Sequence, residues 1–281
     1  MSDNTHKLST KQMIDFVSNG FIRLDELVPE ALCQEILEEV KNRKNKVIWA
    51  EKDESVYHAF DQTTILGKLL RLPRMQGTIE SLVGANPRFD HFATHLTPAG
   101  TRKGTDLHQD AEYDRRPHAF DIQISIFPTD VTEAMGGTLF VPGTHFRRVY
   151  VGDIRRYQNV VGQVQTVCKA GTVVFWHHNL WHSARSNLSD LDRYMLKLRI
   201  NPSVKQERLW DTTSDSDSPG LFDVLQKELP WQGNDGRMEI MQRIKLWRYL
   251  TGDESFDLKS WWTRVDADPF APVASDCQST V

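Results

Sequence analysis

At 281 residues, with 39% hydrophobic and 26% charged positions, the chain has the make-up of a globular protein of one large or two small domains. A net charge of −4 and a pI near 6.2 give no electrostatic basis for binding nucleic acid or an anionic membrane, and no apolar run approaches the roughly 20 residues that span a bilayer. Three scattered cysteines (Cys33, Cys168 and Cys277) exclude a disulfide framework or zinc cluster; with no secretory signal at the start of the sequence, they point to a reducing, cytoplasmic compartment.

The first stretch reads as helix: Ser9 and Gln12 form a capping box, Met13, Ile14, Phe16 and Val17 a stripe, and Gly20 a stop. A short strand, FIRL (21–24), follows. Pro29 then opens a second helix with Leu32, Ile36, Leu37 and Val40 on one face. Residues 64–84 read as helix interrupted at Pro73 and closed by Gly84.

From about residue 88 the apolar period shortens to two. In FDIQISIF (120–127), Phe120, Ile122, Ile124 and Ile126 face one way, and Asp121, Gln123 and Ser125 the other. TLFV (138–141), GQVQTV (162–167), TVVFW (172–176) and RYMLKLRI (193–200) continue the series, which predicts a β-sandwich or barrel. The last strand sets Tyr194, Leu196, Leu198 and Ile200 against a cationic face of Arg193, Met195, Lys197 and Arg199. Beyond Pro202 come a turn (214–220), an amphipathic helix (237–250) and five of the eight tryptophans: Trp210, Trp231, Trp247, Trp261 and Trp262. The expected organisation is one integrated domain: helices over 1–87, a strand-built core over 88–203, and a helical extension over 204–281. That extension serves as a cap carrying a tryptophan to the site or as a homodimer interface, and its last ten residues read as disordered.

His108 and Asp110 stand two apart in LHQDAEYD (107–114), a triplet that, taken alone, is most often solvated. A third ligand is on offer in WHHNLWHSARSNLSDLDR (176–193), from His177, His178 or His182. If 180–186 is a strand, Leu180, His182, Ala184 and Ser186 share a face, as His108 and Asp110 do by the same period. Antiparallel neighbours would then aim His108, Asp110 and His182 at one point. Two imidazoles and one carboxylate on one side of a metal leave three positions open, as Fe(II) needs for a chelating cosubstrate and oxygen.

His108-Gln109-Asp110, GGTLFVPGTH (136–145) and HSARSNLSDLDR (182–193) resemble the phytanoyl-CoA dioxygenase family of Fe(II)- and 2-oxoglutarate-dependent oxygenases, from about residue 12 to residue 202. The resemblance implies a mainly β, double-stranded β-helix (jelly-roll, cupin-like) core. It implies His108, Asp110 and His182 as iron ligands and Arg193, eleven positions after the second histidine, as the cation for the distal carboxylate of 2-oxoglutarate. Asn187 and Ser189 fall on the family's Asn-x-Ser. A guanidinium suits the carboxylate because it grips it with two parallel hydrogen bonds. Lys197 or Arg199 could replace or assist Arg193. Gln123 and Ser125, on the polar face of their strand, and Thr138 are further candidate cosubstrate contacts. His177 and His178 read as polar strand-end residues, and VPGTH as a structural turn.

The implied activity uses Fe(2+), 2-oxoglutarate and O2, with ascorbate supportive, and oxidises an unactivated carbon of a small organic substrate while releasing succinate and CO2. Hydroxylation is the default outcome; Asp110 disfavours halogenation, in which related enzymes give up the carboxylate for chloride. A divalent-metal hydrolase or isomerase, and a catalytically silent binding module, are the alternatives. The basic pairs Arg147-Arg148 and Arg155-Arg156 read as solvated surface or a phosphate contact. The loops 49–63 and 101–119 and the tryptophan-rich end are expected to set the substrate.

Overall fold

A computed structural model describes residues 6–42, 60–111, 116, 118–147, 149–213 and 220–258. Helix α1 (Thr10–Asn19) starts where Ser9 and Gln12 satisfy each other's backbone, the reciprocal capping box, and stops where Gly20 turns left-handed at φ +82°. The turn delivers the chain straight into strand β1 (Phe21–Leu24). Helix α2 (Glu30–Asn42) begins one residue after Pro29. Pro73 breaks the next helical stretch into α3 (Ile65–Leu70) and α4 (Pro73–Val83), because proline is accepted only in a helix's first turn.

The strands are β2 (Arg88–Thr97), β3 (Ile122–Ile126), β4 (Thr138–Phe140), β5 (Val164–Gln165), β6 (Val173–His177), β7 (His182–Ala184) and β8 (Arg193–Asn201). They form two sheets, a five-stranded one in the order β1-β6-β3-β8-β2 and a three-stranded one in the order β5-β4-β7, with every pairing antiparallel. Two strands are shorter than their period suggests: only Val164–Gln165 of 162–167 and His182–Ala184 of 180–186 pair.

The larger sheet is buried on both faces. Phe120, Ile122, Ile124 and Ile126 join Val173, Phe175, Leu196, Leu198 and Ile200 in one core with Met13, Phe16, Val17 and Leu82 of the helices. Gln123, Ser125 and Trp176 turn inward, toward the smaller sheet, where Trp176 meets Phe140 at 5.3 Å between ring centroids. Alternation along each strand therefore separates an apolar face under the helices from a polar face inside. A short α5 (Val151–Ile154) follows the β4 loop, and α6 (Gly236–Thr251) closes the described chain. Helix α6 buries Ile240, Ile244, Trp247 and Leu250 within the same chain, against α1 and a 3-10 turn at Leu221–Gln226. No described helix is long and apolar enough to cross a membrane.

Candidate metal centre

His108 lies outside the regular strands, yet it is held to β7 as firmly as a strand residue. Its amide donates to His182 O at 3.0 Å and its carbonyl accepts from His182 N at 2.8 Å, an isolated antiparallel bridge. Residues paired in this way project side chains to the same face, so the two rings come within 4.2 Å of each other. Two positions on, Asp110 is anchored through its amide to His178 O at 3.3 Å and reaches back between them. Its two oxygens lie 3.5 Å from His108 Nε2 and 3.7 Å from His182 Nε2.

The tautomers follow from the partners. His108 Nδ1 sits 2.8 Å from Asp106 O and His182 Nδ1 2.9 Å from Leu180 O, and a carbonyl can only accept. Each Nδ1 therefore carries the hydrogen, which leaves both Nε2 lone pairs aimed at the same space. Donors of one ion, about 2.1 Å from it and at right angles, stand about 3 Å apart. The observed spacing is slightly wider, within the reach of side-chain torsions. All three ligand atoms fall within 4.8 Å of one another, so the donor set fits one divalent metal ion.

Electrostatics agree. Burial alone would raise the Asp110 carboxyl, but the hydrogen bond to His108 and the charge and hydrogen bond of Lys197 outweigh it and hold it well below the carboxylate range. Burial pulls the His182 imidazole down to about 3, so it is a neutral donor at neutral pH. For His108 burial acts downward too, yet hydrogen bonding to Asp110 and to the Asp106 backbone leaves it raised.

Around the cluster the predicted residues divide. Gln123, expected on the cosubstrate, donates its amide to Asp110 Oδ2. Ser125 accepts from Trp176 Nε1 at 3.1 Å, and Thr138 Oγ1 lies 3.6 Å from Met195 Sδ. Arg193 is 5% exposed and donates to Met135 O, to Arg185 O and to Thr97 Oγ1. Every one of these acceptors is neutral, and among the described residues no carboxylate lies within the 4 Å of an ion pair. Burial lowers its pKa to about 10. Asn187, fully buried, donates to Thr97 O, Pro98 O and Leu191 O while Ser189 donates to its Oδ1, a staple that sets the turn leading into Arg193.

Several residues were assigned differently from sequence. Lys197 is not beside Arg193's partners; its ammonium stands 2.5 Å from Asp110 Oδ2. Arg199 pairs with Asp90 at 2.6 Å. His177 and His178 stand at the end of β6 as read, buried and mutually stacked, and neither joins the metal cluster. His145 is buried against Phe146 and His177. His91 and His95 were missed: they pair across β2 and β8 with Arg199 and Met195, and the spacing of four in HFATH already placed both on that face. Arg155 and Arg156 are exposed, Arg155 lying 3.6 Å from Asp106, while Arg148 and most of the 49–63 loop lie outside the described residues.

Two imidazoles and a carboxylate gathered beside two antiparallel sheets are a donor set of the kind that suits one divalent metal ion. A family model described as Phytanoyl-CoA dioxygenase (PhyH) matches residues 16–195, and the chain belongs to that family. Ectoine dioxygenase of Bordetella parapertussis is 24% identical over 224 residues, covering 66% of this chain and 73% of that protein. Among solved structures, the non-heme alpha ketoglutarate dependent carbocyclase SnoK from nogalamycin biosynthesis superposes with a TM-score of 0.55 at 21% identity, over 70% of this chain and 85% of that one. HygX from Streptomyces hygroscopicus, with nickel and 2-oxoglutarate bound, gives 0.56 at 13% identity, over 73% and 90%. The chain is an Fe(II)- and 2-oxoglutarate-dependent dioxygenase.

Proposed function

We propose that His108, Asp110 and His182 hold the iron facially, and that Arg193 binds the distal carboxylate of 2-oxoglutarate inside a double-stranded β-helix. The observation that carries the reading is the pair of Nε2 atoms, each fixed by a backbone carbonyl behind it, converging on Asp110. Arg193 supports it from the other end: a buried guanidinium whose described partners are all neutral is stabilised by an anionic ligand.

When bound, iron and 2-oxoglutarate supply the activation of O2, with 2-oxoglutarate leaving as succinate and CO2. The protein's part is placement. The backbone anchors keep both imidazoles in the ligating tautomer, Gln123 holds Asp110 Oδ2 so that Oδ1 faces His108 Nε2, and the Asn187 staple fixes Arg193. Trp176, edge-on to His182 at 4.4 Å, and Phe140 wall the site off from water. The reaction is the oxidation, by default the hydroxylation, of an unactivated carbon of a small organic molecule, and the retained carboxylate ligand argues against halogenation. We place the enzyme in the cytoplasm, consistent with two buried free cysteines, Cys33 and Cys168. A homodimer is not needed to cover α6, whose apolar face is already buried.

The test is CO2 release from carboxyl-labelled 2-oxoglutarate in the presence of iron and ascorbate. The wild type should release CO2, and His108→Ala, Asp110→Ala and His182→Ala should each lose both iron and turnover while keeping a native circular dichroism spectrum. A hydrolase or a silent binding module releases none. An active His182→Ala protein with stoichiometric iron would remove the ligand assignment.

A further inference from the structure

Lys197 is a charge the cofactor reading does not use. Its side chain is 12% exposed, on the inner face of β8, with Ser125 opposite it in register and its ammonium 5.1 Å from the centre of the Trp176 ring. Its described ionic partner is Asp110, at 2.5 Å. Gln123 already fixes that same Asp110 oxygen with a neutral amide, so orienting the ligand does not by itself require a cation.

Counting charge in the assembled site sharpens the point, and the count rests on the ligand roles proposed above. An iron dication and dianionic 2-oxoglutarate cancel, and Asp110 and Arg193 cancel each other. The neighbouring cations have their own acids, Arg199 with Asp90 at 2.6 Å and Arg116 with Asp121 at 2.9 Å. Among the described residues the site is left with one positive charge, on Lys197. A surplus positive charge in a largely desolvated pocket is unfavourable, and a bound anion offsets it. An ammonium has three donors, and only one is taken by Asp110. A surplus of a single charge matches a monoanion better than a phosphate dianion.

We propose that Lys197 binds a carboxylate of the substrate beside the metal, so that the enzyme selects small organic acids. The same contact orients the substrate: a carboxylate clamped one residue-width from the metal ligands fixes which carbon faces the iron.

Anaerobic binding to the Fe(II) and 2-oxoglutarate complex tests this without turnover. The probes are acetate, propionate and benzoate against acetamide, propionamide and benzamide, followed by the metal-to-2-oxoglutarate charge-transfer absorption and by tryptophan fluorescence. Wild type should bind the acids and not the matched amides. Lys197→Met should weaken the acids by about tenfold or more, the worth of one charge-assisted hydrogen bond, and Lys197→Arg should restore much of it. Iron content and 2-oxoglutarate affinity should stay within about twofold of wild type in both variants. Equal binding of acids and amides by wild type, or of acids by Lys197→Met, overturns the proposal. Loss of iron in Lys197→Met overturns it too, by making Lys197 a support for Asp110, and loss of 2-oxoglutarate affinity does so by making it the cosubstrate's cation. If wild type with iron shows no charge-transfer band at all, the underlying cofactor reading fails first and takes this one with it.

Discussion

Arg193 and His145 are both buried, and burial lowers both pKa values, yet the two end in opposite charge states at neutral pH. Arg193 keeps its charge, since even a pKa lowered to about 10 leaves it protonated at neutral pH, so the fold must supply acceptors and await an anion. Removing one partner of a buried charged pair costs roughly 2–5 kcal/mol. Arg193→Met should therefore raise the 2-oxoglutarate dissociation constant by about 30-fold or more, measured by calorimetry on the metal-loaded protein. Unchanged affinity would hand the role to another cation. His145 instead gives up its charge: burial, then the nearby Arg243, pulls its pKa down to about 3. The unfolded imidazole titrates near about 6.5. Between these values the unfolded chain takes up a proton that the native one refuses. The His145 contribution is thus fully present above about pH 6.5 and lost as pH falls toward 3, by up to about 1.4 kcal/mol per pH unit. Urea denaturation at pH 7 and pH 4.5 should show a smaller pH loss for His145→Phe than for wild type. An identical loss in both proteins would acquit His145.

At the scale of elements, the hinge between α1 and β1 carries more than its sequence suggests. Gly20 is left-handed at φ +82°, and a Cβ there would come within 2.5 Å of His145 Nδ1 and 2.9 Å of Leu180 Cδ1. Gly20→Ala should cost about 1 kcal/mol for the backbone and about 1–3 kcal/mol for overpacking. The expected result is a lower urea midpoint with an unchanged slope, whereas a wild-type midpoint would mean that the contact relaxes freely. The stop itself was legible, because a glycine closing a periodic helix is a local signal. So were the β3 and β8 faces, where strict alternation survives in both the core and the interior. The packing against His145 was not legible, since it joins residues 125 positions apart through a turn that looks merely structural. His177 and His178 do stand at the end of β6 and outside the metal cluster, as read, but polarity at a strand end says nothing about what folds over it, and their burial was not legible. For the site, period two placed His108, Asp110 and His182 on common faces, but only the His108–His182 bridge shows that they meet. Lys197 on Asp110 needed the β3–β8 register.

Across the whole molecule, the tryptophans beyond residue 205 divide by what they pack against. Trp210 and Trp247 are 5.5 Å apart, and both belong to the core beneath α1, where Trp210 Nε1 donates to Thr10 Oγ1 at 3.2 Å. Trp231 lies under the Arg147 guanidinium and beside Trp181, which precedes His182 and so projects from the opposite face of β7, away from the metal ligands. Trp261 and Trp262 lie outside the described residues. The three described tryptophans thus tie the extension to the outside of the β core. None of them has a ring contact with His108 or His182, although a cap over the site was expected. The consequence is testable through stability and ligand binding read together. Trp247 is 2% exposed, so Trp247→Ala should destabilise by about 3–5 kcal/mol, as loss of a buried large aromatic does. Below its lowered melting temperature the same variant should bind iron and 2-oxoglutarate as wild type does. Trp231→Ala, half-buried on the outer face, should lose less stability and also keep both ligands. A variant of either residue that keeps wild-type stability but loses 2-oxoglutarate affinity would place that tryptophan at the site and restore the cap.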